Sequence, residues 1–316
     1  MTDSFGREIT YLRVSVTELC NLRCKYCMPP EGICKKRHSD MMTEDEMIDA
    51  VRAAASLGIN KIRITGGEPL VKKNILSICR RVSAVNGINE VCLTTNGTLL
   101  SPLAASLYEA GVDRINISLD TLDAEKYRMI TILGDLGDAL RGIDSAFAAG
   151  FKRVKINTVL IGGFNDSETA DFCALTMDRD IDVRFIELMP MVDSAFDAGA
   201  YLPCETVLER VPELVSIPGD GGVARLYQFP GAHGRVGLIS PVSCHFCNSC
   251  NRLRLTADGK IKPCLHSPIE YSLKGLDMDG MREVFLRAVM KKPERHDTLS
   301  AKNMSGAGRT MNSIGG

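Results

Sequence analysis

The sequence predicts an α/β fold in which six strand–helix units form a partial or closed barrel over residues 1–215. Three observations carry this prediction. Six short β-branched or apolar runs recur, segments of helical spacing separate them, and four of the turns leaving a run are rich in Gly, Asn, Asp or Pro. Strand then helix, repeated, implies right-handed βαβ crossovers and a parallel sheet.

The first run covers 11–16. Thr43-Glu44-Asp45-Glu46 then reads as a capping box, opening a helix with the apolar stripe Met47, Ile48, Val51, Ala54 and Ala55 that Gly58 closes. The second run, 61–65, leads through Gly66-Gly67-Glu68-Pro69 into a helix over 75–85. The third, 91–95, leads through Thr95-Asn96-Gly97 into a helix over 103–110. The fourth, 114–119, ends at Ser118-Leu119-Asp120 and precedes a helix over 139–149. The fifth, 154–161, precedes a helix over 167–177, and the sixth, 183–188, ends in Glu187-Leu188-Met189-Pro190. Any one such turn is explained by turn-making alone. Four on the carboxyl-end face, where barrels keep their chemistry, point to a site.

After about residue 215 the composition changes. Six glycines fall between Gly219 and Gly237, with Pro218 and Pro230, which predicts loops and hairpins. A second cysteine group, a helix over 278–290 and a Gly/Ser/Asn-rich tail follow, so a second domain is expected over 216–316.

The 316 residues are 45% hydrophobic, enough to bury a full core without disulfide staples. A net charge of −1 gives no reason to expect nucleic acid or a polybasic membrane anchor. No apolar stretch approaches a membrane span, and the first residues lack signal-peptide character, so a cytoplasmic protein is expected. In a reducing compartment, twelve cysteines imply metal ligation or redox chemistry rather than disulfides.

Cys20-x3-Cys24-x2-Cys27 follows the first run. Three thiolates in one short loop can hold three irons of a [4Fe–4S] cube and leave the fourth open. Structural zinc, completed by Cys34 or His38, is the alternative. With Tyr26 before the third cysteine and Gly66-Gly67-Glu68-Pro69 after the second run, the chain resembles the radical S-adenosylmethionine superfamily. The resemblance implies that the open iron is chelated by the methionyl amino and carboxylate groups of the cofactor.

Cys247-x2-Cys250-x13-Cys264 is a second set of three. Arg252 and Arg254, at period 2, share one strand face while Leu253 and Leu255 share the other. They suit either a solvated hairpin or a polyphosphate. Phe246-Cys247-x2-Cys250-Asn251-Arg252-Leu253-Arg254-Leu255-Thr256-Ala257-Asp258-Gly259, Cys264-Leu265 and the terminal Gly315-Gly316 together resemble the GTP 3′,8-cyclase family of molybdenum cofactor biosynthesis.

The resemblance implies a partial (βα)6 TIM-like radical S-adenosylmethionine barrel with a C-terminal iron–sulfur extension. It implies two [4Fe–4S] clusters, on Cys20, Cys24 and Cys27 and on Cys247, Cys250 and Cys264. Tyr26, Gly67, Ser118 and Met189 resemble S-adenosyl-L-methionine contacts. Arg13, Arg63, Thr94, Lys155, Arg252, Leu253 and Arg254 resemble GTP contacts, and Gly315 and Gly316 a tail that enters the active site and assists the radical step. Without the family, Arg13 and Lys155 would read as salt-bridged core residues. The implied reaction abstracts hydrogen from C3′ of GTP and joins C3′ to C8 of guanine. The implied partners are GTP, a one-electron donor of flavodoxin or ferredoxin type, and a downstream cyclic pyranopterin synthase. A homodimer is compatible, while nucleic acid and membrane are not expected.

Three departures stand out. Cys244, giving Cys244-x2-Cys247-x2-Cys250, is a further thiol that spacing alone allows as a fourth ligand. Cys34 is an extra thiol near the first group, and Thr131-Ile132-Leu133 is more apolar than the family loop. The rival readings are a peptide-modifying radical enzyme with an auxiliary cluster, and a non-enzymatic zinc-stapled binding module.

Overall fold

The computed structural model describes residues 1–33, 36–191, 198–300 and 302–315. The six runs are strands: β1 (Tyr11–Ser15), β2 (Lys61–Thr65), β3 (Glu90–Thr95), β4 (Arg114–Ser118), β5 (Val154–Leu160) and β6 (Ile181–Glu187). Each pairs in parallel with the next in chain order. The crossovers carry α1 (Glu44–Ser56), α2 (Ile75–Ser83), α3 (Ala104–Glu109), α4 (Ala124–Thr131), α5 (Leu136–Ala148) and α6 (Thr169–Ala174). The Thr43 hydroxyl accepts from the Glu46 N–H while the Glu46 carboxylate accepts from the Thr43 N–H, the capping box expected there. Such a cap contributes about 1 kcal/mol. The sequence reading missed α4, a polar segment that buries only Tyr127, Ile130 and Thr131.

Beyond β6 lie α7 (Thr206–Arg210), β7 (Val215–Ile217), β8 (Arg225–Gln228), β9 (Val236–Ile239), β10 (Arg252–Leu255), β11 (Lys260–Lys262), β12 (Tyr271–Ser272), α8 (Met278–Met290) and α9 (Met311–Ile314). These later strands do not make a sheet of their own. One sheet runs β12-β11-β10-β1-β2-β3-β4-β5-β6-β9-β8-β7, open at both edges. β9 adds to β6 and β10 adds to β1, both in parallel, which satisfies backbone edges the barrel would otherwise expose.

Alternation sorts the strands. Leu12, Val14, Ile62, Ile64, Ile115, Ile117, Ile156, Val183, Phe185, Leu253 and Leu255 belong to a single apolar core. The intervening residues face the other way, into a cavity. Among the described residues no helix is long and apolar enough to cross a membrane.

Candidate active site

The cavity has a volume of about 1010 Å³ and is lined by every second residue of the inner strands. Tyr11 and Arg13 of β1, Arg63 of β2, Thr94 of β3, Asn116 and Ser118 of β4, Lys155 and Asn157 of β5, Arg184 of β6, and Arg252 and Arg254 of β10 all border it. The first cysteine group follows β1, whereas Cys247 and Cys250 precede β10, which runs parallel to β1 in the register Tyr11↔Arg252. The two cysteine groups therefore sit at opposite ends of the strands. Five residues at ~3.3 Å put roughly 16 Å of strand between those ends.

At the carboxyl end, Cys20, Cys24 and Cys27 line the cavity with Tyr26, Gly67, Ser118, Asp120 and Met189. The Gly67 N–H donates to Thr17 O and the Glu68 N–H to Leu19 O, each at 2.8 Å, so the glycine turn extends the pairing of β2 along the segment that leads to Cys20. A Cβ on Gly67 would collide with Leu19 O, and one on Gly66 would stand 2.7 Å from Thr17 O. Glu68 turns inward, accepting from the Thr95 hydroxyl and the Asn96 N–H at 2.7 Å each, and burial lifts its pKa to about 7. The Tyr26 hydroxyl donates to Asp120 at 2.7 Å, and burial raises that carboxyl to about 6. The cysteine loop is also tied to α4, because Arg23 and Lys25 N–H donate to Thr131 and Ile130 carbonyls at 2.9 and 3.1 Å. These are backbone bonds, so they survive the unusual side chains of Thr131-Ile132-Leu133. Ile132 is the one non-glycine residue with positive φ, 66°, among the described residues.

Burial, with the neighbouring thiols and acids, pushes Cys20 up to about 11, Cys27 to about 12, and Cys24 well above the ordinary thiol range. These sulfurs become thiolates only when a metal supplies positive charge. Asn96 Nδ2 lies 3.9 Å from the Cys20 sulfur, and the Asn312 N–H donates to the Cys27 sulfur, as donors to cluster thiolates do. No two of the described cysteines form a disulfide. The donor set fits a three-thiolate iron–sulfur cube.

At the other end, Cys247, Cys250 and Cys264 line the cavity among cations. Burial raises the Cys250 thiol, but Arg252 and Lys292 outweigh it and bring the pKa down to about 7. Lys292 is anchored to the Arg252 and Pro263 carbonyls at 2.9 and 2.8 Å. Three histidines gather here. His245 Nδ1 and His296 Nε2 are 3.1 Å apart, and the His266 ring centroid lies 4.5 Å from that of His296. This donor set, too, fits a metal or a cluster.

Between the ends the cavity is cationic. Register places Arg13 beside Arg63 and Arg254. Burial and Arg254 hold Arg13 well below its ordinary pKa, and burial with Arg252 holds Arg254 down to about 10. Arg63 donates to the Tyr11 hydroxyl and, at 3.2 Å, to Thr94 Oγ1. Lys155 is fully buried, 3.3 Å from Asp182; burial and Arg184 still depress its pKa to about 7. The Nε atoms of Arg184 and Arg252 are buried without a hydrogen-bond partner among the described residues. Buried like charges of this kind are costly until an anion meets them.

The C-terminal tail enters the same cavity region. Arg309 bridges Glu270 at 2.6 Å and Asp258 at 3.0 Å, and Lys36 joins Asp258 to Glu18. Asn312 Nδ2 donates to Glu18 O at 3.1 Å, and Arg254 Nη1 donates to Gly315 O at 2.6 Å. Gly315 has φ 86°, and a Cβ there would stand 2.5 Å from Thr65 Oγ1. Only glycine meets both conditions.

The structure places every expected site residue it describes on the cavity wall except Leu253 and Gly315, the latter reaching it through Arg254. Leu253 is fully buried in the apolar core and does not border the cavity, because its parity is opposite to Arg252 and Arg254. Gly316 and Cys34 lie outside the described residues. Cys244 is exposed and does not border the cavity, unlike Cys247. Lys155 combines both expectations, an ion pair with Asp182 and a place on the cavity wall. Sequence reasoning missed Arg184, which its even-numbered parity on the sixth run could have revealed, and the three histidines, which carry no sequence signal.

The model of the Radical SAM superfamily matches residues 14–176, and that of Molybdenum Cofactor Synthesis C matches 181–298. The chain is 48% identical over 323 residues to the GTP 3′,8-cyclase of Alkaliphilus oremlandii, with 100% of both chains covered. It is 49% identical over 322 residues to that of Peptoclostridium acidaminophilum, covering 100% of this chain and 98% of the relative. Among solved structures, Streptococcus suis SuiB bound to S-adenosylmethionine superposes with a TM-score of 0.64 at 14% identity, covering 87% of this chain and 68% of that one. The histidine-tagged anSMEcpe with bound AdoMet gives 0.58 at 14% identity, covering 92% and 79%. These two share the fold.

Proposed function

The chain belongs to the GTP 3′,8-cyclase family of radical S-adenosylmethionine enzymes, and from that premise we propose how its two ends divide the reaction. The protein converts GTP to 3′,8-cyclo-7,8-dihydroguanosine 5′-triphosphate, the first step of molybdenum cofactor biosynthesis. Its family carries a [4Fe–4S] cluster and S-adenosyl-L-methionine, which when bound supply one-electron cleavage of the cofactor and the hydrogen-abstracting radical.

Cys20, Cys24 and Cys27 would hold that cluster, with Tyr26, Gly67, Ser118 and Met189 around the cofactor. Asp120 fixes the Tyr26 hydroxyl, and the Gly66-Gly67 turn braces the cysteine loop. Cys247, Cys250 and Cys264 would hold a second [4Fe–4S] cluster whose open iron takes the guanine. Residues 1–215 then provide the cofactor end, 216–316 the second cysteine set, and both segments supply cations to the wall between them. Arg13, Arg63, Arg184, Lys155, Arg252 and Arg254 neutralise the triphosphate, and Thr94 positions Arg63. Leu253 serves from the core, spacing the two arginines on one face. Gly315, held by Arg254, anchors the tail beside the cationic wall, and the two terminal glycines would assist the radical step. An external one-electron donor of flavodoxin or ferredoxin type delivers the reducing equivalents, and a downstream cyclic pyranopterin synthase takes the product.

The observation that carries this reading is the buried, cation-rich cavity wall lying between two sets of three cysteines. Anaerobic reconstitution with S-adenosylmethionine, GTP and dithionite, followed by product identification, tests it. Cofactor cleavage with no cyclised GTP would overturn it.

A further inference from the structure

The second cysteine set is drawn from two segments of chain, Cys247 and Cys250 ahead of β10 and Cys264 beyond β11. A third segment, the one that follows α8, joins them. Lys292 is buried, and its Nζ donates to Arg252 O at 2.9 Å and to Pro263 O at 2.8 Å. It also donates to the Cys250 sulfur. An ammonium has three hydrogens, and all three are used. Pro263 immediately precedes Cys264, and Arg252 lies two residues after Cys250, so this one side chain holds both segments.

Arg7 holds the lysine in turn. Its Nη2 donates to Pro293 O at 2.7 Å and its Nη1 to Glu294 O at 2.9 Å, which fixes the two residues after Lys292. Nη1 also donates to Cys247 O at 2.7 Å. Each cysteine of the set is thereby tied, directly or through a neighbouring carbonyl, to a cation that is not itself a metal ligand.

The two cations differ in charge balance. Arg7 meets Asp3 at 2.6 Å, with both side chains buried. The acceptors of Lys292 are two carbonyls and a sulfur, and no carboxylate pairs with it among the described residues. A buried cation without an anion is costly. Of its three acceptors only the sulfur can become anionic, and a bound metal makes it so.

We propose that Lys292 is the positioning residue and charge partner of the second cluster, and that Arg7 holds it in place. This rests on the second-cluster reading. The ammonium offsets the negative charge of a thiolate-bound cluster, which favours the reduced, more negative state and holds the reduction potential up. Arg7, its charge met by Asp3, acts through the placement of Lys292 and Cys247.

The test uses the full chain carrying Cys24→Ala, so that the reduced second cluster is the paramagnetic centre, poised with redox mediators and followed by electron paramagnetic resonance. Lys292→Met should shift the midpoint potential to a more negative value with four irons per chain retained. Lys292→Arg, which keeps the charge, should stay nearer the parent. Arg7→Lys, whose compact ammonium cannot reproduce the guanidinium fork, should shift the midpoint in the same direction as Lys292→Met but by less. If Lys292→Met takes up no iron, Arg7→Lys decides in its place, and an unmoved midpoint there overturns the proposal. Four irons with the parent midpoint in Lys292→Met would also overturn it and leave the second cluster standing, as would a midpoint moved by Arg7→Lys alone. A Cys24→Ala chain without iron would remove the second-cluster reading and this proposal with it.

Discussion

The two cysteine groups have the same number of thiols and opposite surroundings. At the carboxyl end, Cys20, Cys24 and Cys27 lie near Glu68 and Asp120, and burial pushes Cys20 up to about 11, Cys27 to about 12 and Cys24 well above the ordinary thiol range. At the amino end, Arg252 and Lys292 outweigh burial and bring Cys250 to about 7. The first surroundings suit a cluster that must bind a sulfonium cation and keep water away. The second suit a site that receives a polyanion. What surrounds a cysteine set, rather than its spacing, separates the two tasks.

The largest effect that could break this comparison is Cys24→Ala. S-adenosylmethionine cleavage should vanish while iron and sulfide analysis still finds one cluster at the amino end. Loss of all iron would mean that the ends are not independent.

Next comes Arg252→Ala. Removing a charge-assisted contact should cost ~1.5–3 kcal/mol, or roughly ten- to over a hundredfold in GTP affinity. Cleavage of S-adenosylmethionine without GTP should persist. Unchanged affinity, read by equilibrium dialysis, would remove Arg252 from the groups that hold GTP.

Thiol reactivity sharpens the contrast directly. In the iron-free chain at pH 8, a Cys250 pKa of about 7 against about 11 for Cys20 gives about a thousandfold more thiolate. Its lower intrinsic nucleophilicity reduces this to a rate ratio of roughly ten- to twentyfold. Alkylation followed by peptide mass spectrometry should find Cys250 labelled before Cys20. Equal rates would mean that the amino-end cations do not act on the thiol.

The smallest expected effect is in pH. Lys155 stands at about 7 in the free cavity, because burial and Arg184 outweigh Asp182. The triphosphate would raise it, so GTP binding takes up a proton at higher pH. Affinity is then complete below pH 7 and falls about fivefold from pH 7 to 8. Lys155→Arg, which stays charged, should flatten that slope. A slope the substitution leaves intact would assign the titration to another group.

Much of the barrel was legible because period-2 apolar runs and a Thr43/Glu46 capping box act locally. The α4 segment escaped because its helix depends on the Asp123 cap and on packing beside the cysteine loop, not on an apolar stripe. The apolar Thr131-Ile132-Leu133 loop keeps its tie to the cysteine loop through the Thr131 carbonyl, a backbone bond that does not depend on side-chain identity. Of the candidate site, Arg252 and Arg254 were visible by parity, whereas Leu253 was carried along by the motif although parity sends it to the core.

By itself the sequence determined the alternation of strand and helix, the two cysteine sets, the glycine turn and the shared face of Arg252 and Arg254, all local properties of chain spacing. Only the tertiary structure decided that β10 pairs with β1, so that the second cysteine set comes to the end of the cavity opposite the first. It also decided that Arg254, 241 residues beyond Arg13, becomes its neighbour, that Arg309 ties the tail down, and that His245, His266 and His296 meet. These are non-local pairings. They form because two exposed sheet edges and a buried cationic wall must be satisfied together, and no spacing along the chain encodes which distant segment will satisfy them.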